Sequence, residues 1–155
     1  MSWPEPVARV AAVLSGAAID ARIEEFETGT PTAQAAAEAI GCELAQIVKS
    51  IVLVSDGAYV LALVPGDRRA DEAKIARALG TESVRIATAA EVVEATGFEP
   101  GGVAPFPQRA ISRTLMDRSF LQHPVVWIGA GTERHMAAIP PLELARLTRA
   151  AAIDL

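Results

Sequence analysis

This sequence predicts an α+β fold in a single domain, and three observations predict it. Runs with helical spacing of apolar residues are interspersed with short β-rich runs, so neither class of element stands alone. An Asp56-Gly57 pair sits between two apolar runs, which makes at least one pair of strands an antiparallel hairpin. The chain has 155 residues, 51% hydrophobic and 21% charged, enough for one packed core, with no repeat, low-complexity tract or linker to divide it.

The elements follow in order. Pro4 to Leu14 places Val7, Val10, Ala11 and Leu14 on one helical face, and Gly16 stops it. Ile19 to Phe26 alternates Ile19, Ala21 and Ile23 against Asp20, Arg22 and Glu24, a strand pattern. Thr30-Pro31 opens an Ala-rich helix that runs to Ile40 and ends at Gly41. Ile47–Ser55 and Ala58–Val64 are the two hairpin strands, and Pro65-Gly66-Asp67 breaks the second. Asp71 caps a helix to Leu79, with Gly80 behind it. Thr88 and Glu91 have capping-box spacing for a helix ending near Gly97. Residues Glu99 to Pro107 form a rigid Pro/Gly loop. Val125–Ile128 is a short buried strand, Gly129-Ala130-Gly131 turns the chain, and Arg134–Ile139 returns as a last strand. Pro140-Pro141 starts a closing helix over Leu142–Thr148.

Composition narrows the function. Aromatics are 5%, so the core is expected to be aliphatic. No apolar run approaches the roughly 20 residues of a membrane-spanning helix, and the N-terminus lacks a signal-peptide pattern. The single cysteine, Cys42, cannot form an internal disulfide and has no metal-ligand spacing around it. A soluble cytoplasmic protein is expected, with no metal or other cofactor. A net charge of −5 argues against broad nonspecific nucleic-acid binding and confines any grip on nucleic acid to a small region.

Lys49 stands out because its strand, Ile47 to Val54, is otherwise nearly all apolar. It shares a face with Ile51 and Leu53, while Ser50 shares the other with Val48 and Val52. An ammonium in apolar surroundings is costly unless it is paired or serves a site; the alternative is a lysine that snorkels to water. The Gly101-Gly102-Val103-Ala104-Pro105 loop is the second feature. Paired glycines let a ligand approach the main chain, and prolines stiffen the N–H groups that would bind it; the alternative is a plain tight turn. Gly129-Ala130-Gly131 lacks the third glycine and following helix of a dinucleotide fingerprint, leaving a small anion nest or a turn. His135, just beyond, is a candidate base or orienting group, whereas His123 before Pro124 reads as loop. Cys42 is disfavoured as a nucleophile, and no Gly-x-Ser-x-Gly elbow occurs. Arg68, Arg69, Lys74 and Arg77 form either a phosphate-contacting strip or a solvated face balanced by Asp67, Asp71 and Glu72.

Taken in order, these pieces resemble the YbaK/EbsC family, freestanding relatives of the editing domain inserted in bacterial prolyl-tRNA synthetase. The matching stretches are Thr30-Pro31-Thr32, Gln46-Ile47-Val48-Lys49-Ser50, Pro65-Gly66-Asp67, Ala78-Leu79-Gly80, Thr96-Gly97-Phe98, Gly101 to Pro105, Gly129-Ala130-Gly131 and Leu144 to Thr148. The resemblance covers nearly the whole chain from about residue 19. It implies a mixed, strongly twisted, partly barrel-like sheet with helices outside, in one editing domain spanning residues 1–155.

It further implies hydrolysis of mischarged aminoacyl-tRNA carrying a small amino acid (Ala, Ser, Thr or Cys), on tRNA for proline or a related tRNA. By similarity, Lys49 holds the 3′-terminal adenosine or the ester carbonyl, and the loop from Gly101 and Gly102 to Pro105 cradles the ester. Gly129 and Gly131 shape the pocket wall, with Ser50 and His135 as substrate contacts. Where many members carry an acidic or small residue, this chain has Glu133-Arg134-His135-Met136, so His135 is the candidate for amino-acid specificity. The implied partner is aminoacyl-tRNA, held by its 3′ acceptor end. An aminoacyl-tRNA synthetase is a candidate second partner, and neither DNA nor a membrane is expected. The rival reading is a non-catalytic module that binds aminoacylated 3′ ends or acts as a synthetase adaptor.

Overall fold

Eight strands and five helices make up the computed structural model, which describes residues 2–155. Helix α1 (Glu5–Gly16) buries Val7, Val10 and Leu14, the three-and-four spacing of a one-sided helix. β1 (Ile23–Glu25) is shorter than its alternating pattern suggests. Ile19 and Ala21 pack against the core without joining a ladder. Helix α2 (Ala33–Ile40) is capped by Thr32, whose hydroxyl accepts from Ala35 N, and Gly41 ends it at φ 81°. The cap is therefore Thr32 rather than Thr30.

β2 (Val48–Ser55) and β3 (Ala58–Pro65) pair antiparallel through the Asp56-Gly57 turn, where both residues have positive φ, as a tight hairpin turn requires. Helices α3 (Glu72–Leu79) and α4 (Ala89–Thr96) carry the caps read from the sequence: Asp71 accepts from Lys74 N, and Thr88 and Glu91 form a reciprocal capping box. Between them lies the two-residue β4 (Arg85–Ile86). Then come β5 (Ile111–Asp117), β6 (Val126–Gly129), β7 (His135–Ile139), α5 (Pro141–Thr148) and β8 (Ala151–Ile153). β4, β5 and β8 are absent from the sequence reading, so β7 is not the last strand.

The mixed sheet is present, as two sheets and without a closed barrel among the described residues. Five strands run in the order β4-β2-β3-β5-β8, with β3, β5 and β8 parallel; three run β1-β7-β6, all antiparallel. A single parallel bridge, Ile47 to Trp127, ties the two sheets at the start of β2. The main core fills the space between them. It is largely aliphatic, as composition predicts, yet Phe98, Phe106 and Phe120 are buried within it. Each such ring or Leu/Ile contributes about 1.5–3 kcal/mol of burial free energy. Among the described residues, no helix is long and apolar enough to cross a membrane.

Candidate active site

The seam between the two sheets opens into a cleft of about 470 Å³. Its strand wall is the start of β2, with Lys49 and Ser50; its loop wall is Thr132, Glu133 and His135. The N-terminal end of α2 and the turn at Pro100-Gly101 close the remaining sides, and Gly129 lies at the floor. Five of the sequence-predicted residues thus converge: Lys49, Ser50, Gly101, Gly129 and His135. Gly102, Pro105 and Gly131 do not line this cleft.

Lys49 is half-buried, and its ammonium donates to the Arg68 carbonyl. Burial lowers its pKa below the ordinary lysine value; Asp67 opposes the shift and Arg69 adds to it. Arg68 is itself anchored. Its guanidinium donates to Asp117 Oδ1 at 2.8 Å and to Ser119 Oγ at 2.9 Å, so it is committed to an internal pair rather than to a phosphate strip. Burial alone would raise the Asp117 carboxyl, but hydrogen bonds from Ser119 and Arg68 bring it below its ordinary value. Lys74 of the same set pairs with Asp154 at 3.5 Å. Asp117, at the end of the unforeseen β5, therefore fixes the loop whose carbonyl holds Lys49. The signal that could have found it is an acid closing an apolar run, Leu115-Met116-Asp117.

Ser50 Oγ is buried and has no hydrogen-bond partner. Such an orphan normally costs about 1–3 kcal/mol, so Ser50 is a polar group on the cleft wall that adds nothing to stability.

The glycines divide by what surrounds them. A short 3-10 turn spans Pro100–Gly102, and Gly102 N–H donates to the Glu99 carbonyl at 2.8 Å. That donor is spent inside the turn, and a Cβ on Gly102 would lie 2.6 Å from Thr132 Cα. Gly102 is thus a packing position, not the oxyanion donor expected of it. Pro100 has no N–H, which leaves Gly101 N–H as the donor at the head of the turn. A Cβ on Gly129 would lie 2.6 Å from the Val103 carbonyl oxygen. Gly131, at φ 111°, lets the chain pass within 2.7 Å (from its would-be Cβ) of the Pro6 carbonyl carbon on α1. Gly129 thus shapes the cleft directly and Gly131 only by seating its loop. Pro105 is buried behind the loop, where its carbonyl accepts from Gln108 Nε2 at 3.3 Å.

The loop wall is internally bonded. His135 is 3% exposed, with Nδ1 2.6 Å from Thr132 Oγ1 and Nε2 3.7 Å from Glu25. Trp3 packs edge-on against its ring at 5.6 Å. Burial holds the His135 pKa below its ordinary 6.5; Glu25 opposes the shift and Arg134 adds to it. The ring is therefore neutral at pH 7. Thr132 Oγ1 also accepts from Arg134 N at 3.1 Å. Thr30 ties α2 to the same loop, its N–H and hydroxyl donating to the Glu133 carbonyl at 2.6 and 3.1 Å. Cys42 lies outside the cleft, and burial raises its thiol pKa, the wrong direction for a nucleophile.

Fold and site together define a small α+β domain with a cleft whose walls combine a desolvated lysine, an unsatisfied hydroxyl and a backbone donor. The chain belongs to the aminoacyl-tRNA editing domain family, whose model matches residues 27–147. It is 32% identical over 127 residues to the YwhH protein of Bacillus subtilis, covering 81% of this chain and 80% of that one. The proline–tRNA ligase of Lactobacillus gasseri is 42% identical over 77 residues, half of this chain but 14% of the ligase. A crystal structure of a proposed trans-editing enzyme for prolyl tRNA synthetase superposes with a TM-score of 0.92 at 37% identity, covering 99% of this chain and 98% of that one. These matches agree with the YbaK/EbsC resemblance read from the sequence.

Proposed function

We propose that residues 1–155 work as one editing domain, an aminoacyl-tRNA deacylase acting in trans in the cytoplasm. The substrate would be a mischarged tRNA for proline, or a related tRNA, carrying Ala, Ser, Thr or Cys. The observation that carries this reading is the meeting of Lys49, Ser50 and Gly101 across one cleft in a chain of the editing family.

An aminoacyl ester is activated, so a positioned water and a stabilised oxyanion suffice, and the scheme draws on no metal or cofactor. Water adds to the ester carbonyl, and Lys49 Nζ and Gly101 N–H receive the developing oxyanion. The bond from the carbonyl carbon to the terminal ribose oxygen then breaks. The ribose hydroxyl takes up a proton and the free amino acid leaves. Ser50 lines the same cleft, and its buried, unpartnered Oγ would orient the water on becoming exposed to it. His135, neutral and held by Thr132, shapes the side-chain end of the pocket. A synthetase partner would compensate for the weak tRNA affinity of an acidic chain.

The test is deacylation of tRNAs charged with Ala, Ser, Thr, Cys and Pro. One mischarged species should disappear much faster than in buffer while the correctly charged tRNA survives. If no species turns over faster than in buffer, the deacylase reading fails and the binding-module reading replaces it.

A further inference from the structure

A second pocket of about 490 Å³ adjoins the cleft, sharing Gly101, Thr132 and Glu133 as a common wall. Its distinctive feature is Arg9. The guanidinium lies 4.6 Å over the Phe98 ring, Nη2 donates to the Gly97 carbonyl at 2.8 Å, and Nε sits 3.1 Å from Glu5. Nε is buried and makes no aligned hydrogen bond. Three contacts therefore hold the cation in place, with its Cζ over the Phe98 ring and the pocket along its exposed part. A planar guanidinium of this kind is a stacking platform.

A second guanidinium, Arg109, comes up to the same Gly97 edge but does not line the pocket, and the lining itself does not favour phosphate. Arg9 is already paired with Glu5, and Glu99 and Glu133 add two exposed carboxylates outside any ion pair among the described residues. A group that stacks on a guanidinium and donates hydrogen bonds to carboxylates satisfies all of these features. Cytosine does so through its N4 amino group, whereas uracil presents a carbonyl there. Building on the deacylase reading, we propose that this pocket binds the base of the penultimate cytidine of the tRNA 3′ end. In this arrangement the terminal adenosine and its ester occupy the main cleft, one wall away. Arg9 supplies the stacking surface and Glu99 or Glu133 accepts from the amino group.

The test compares three minimal substrates bearing the amino acid found with the tRNA panel: 3′-aminoacyl-adenosine, the aminoacyl cytidylyl-adenosine dinucleotide, and its uridylyl counterpart. Wild type should hydrolyse the cytidylyl dinucleotide with kcat/KM about 10-fold above the mononucleotide, and the uridylyl dinucleotide should lose most of that gain. Arg9→Gln and Arg9→Lys should bring the dinucleotide-to-mononucleotide ratio close to one. This ratio is insensitive to any loss of folded protein caused by uncovering Phe98. Glu99→Gln combined with Glu133→Gln should remove the cytosine-over-uracil preference. Equal wild-type rates on mononucleotide and dinucleotide, or an undiminished ratio in both Arg9 variants, overturn the proposal and leave the deacylase reading standing. If none of the three substrates is hydrolysed above the buffer rate while the charged tRNAs are, this pocket assignment also fails. If the tRNAs too are inert, the deacylase reading falls with it.

Discussion

The two walls of the cleft are built to opposite rules. On the strand wall, Lys49 gives its ammonium to one backbone carbonyl and Ser50 leaves its hydroxyl unused. On the loop wall nearly every polar group is engaged internally: Thr132 with His135 and Arg134, Thr30 with Glu133. Unspent polar groups cost stability and are available to a reacting substrate; spent ones give rigidity and shape. Under the proposed function, chemistry falls to the strand wall and selectivity to the loop wall.

The sharpest break of this division is Lys49→Ala. On the proposed scheme it removes the cation that receives the oxyanion, and kcat/KM should fall about 10²–10³-fold, the usual cost of losing an oxyanion stabiliser. The melting temperature should hardly move, because the lysine makes a single carbonyl contact. An unchanged rate would place the chemistry elsewhere.

Gly129→Ala tests the floor that joins the walls. With its Cβ 2.6 Å from the Val103 oxygen, the loop must shift, and about 1–3 kcal/mol of stability should go in a denaturant titration. An unperturbed midpoint would show that the loop gives way freely.

His135 bears on the loop wall through pH. Its folded pKa lies below the 6.5 of the free side chain, so the unfolded state binds the extra proton first. Its contribution to stability is complete above pH 6.5 and is lost as pH falls toward the folded value. The melting temperature of wild type should therefore drop more steeply than that of His135→Gln as pH falls below about 6.5. Parallel curves would mean that the ring is not held neutral.

The smallest effect belongs to Ser50→Ala. Removing an unpartnered buried hydroxyl should leave stability equal or slightly raised, within about 1 kcal/mol, while the rates on Ser- and Ala-charged tRNA change by a similar factor. A clear destabilisation would show that the hydroxyl has a structural partner.

Much of the frame was legible because local chemistry wrote it. Asp56-Gly57 admits little besides a tight hairpin, and Asp71, Thr88 and Glu91 announce their helices by cap spacing. β5 escaped because Ser112, Arg113 and Thr114 interrupt its apolar character; it is a strand because β3 and β8 flank it, a long-range fact. β8 is three residues, two of them alanines, below any periodicity signal. Thr30-Pro31 reads as the helix start, but Thr30 is held by Glu133, distant in sequence, and Thr32 makes the cap. In the site, Lys49 was legible as a charge in an apolar strand. That Gly102 N–H is consumed by Glu99 was not, since spacing cannot tell a free donor from a spent one. The anchoring of Lys49 through Arg68 and Asp117 was hidden for the same reason as β5.

The central claim, chemistry on one wall and selectivity on the other, is tested most directly by single-turnover deacylation at saturating enzyme. Lys49→Ala and Thr132→Val would be compared with wild type on the same charged tRNA and on its nearest competitor. The account predicts that Lys49→Ala slows the maximal rate on both tRNAs alike, while Thr132→Val keeps most of that rate and alters the preference between them. Loss of the maximal rate in Thr132→Val with Lys49→Ala near wild type would contradict it.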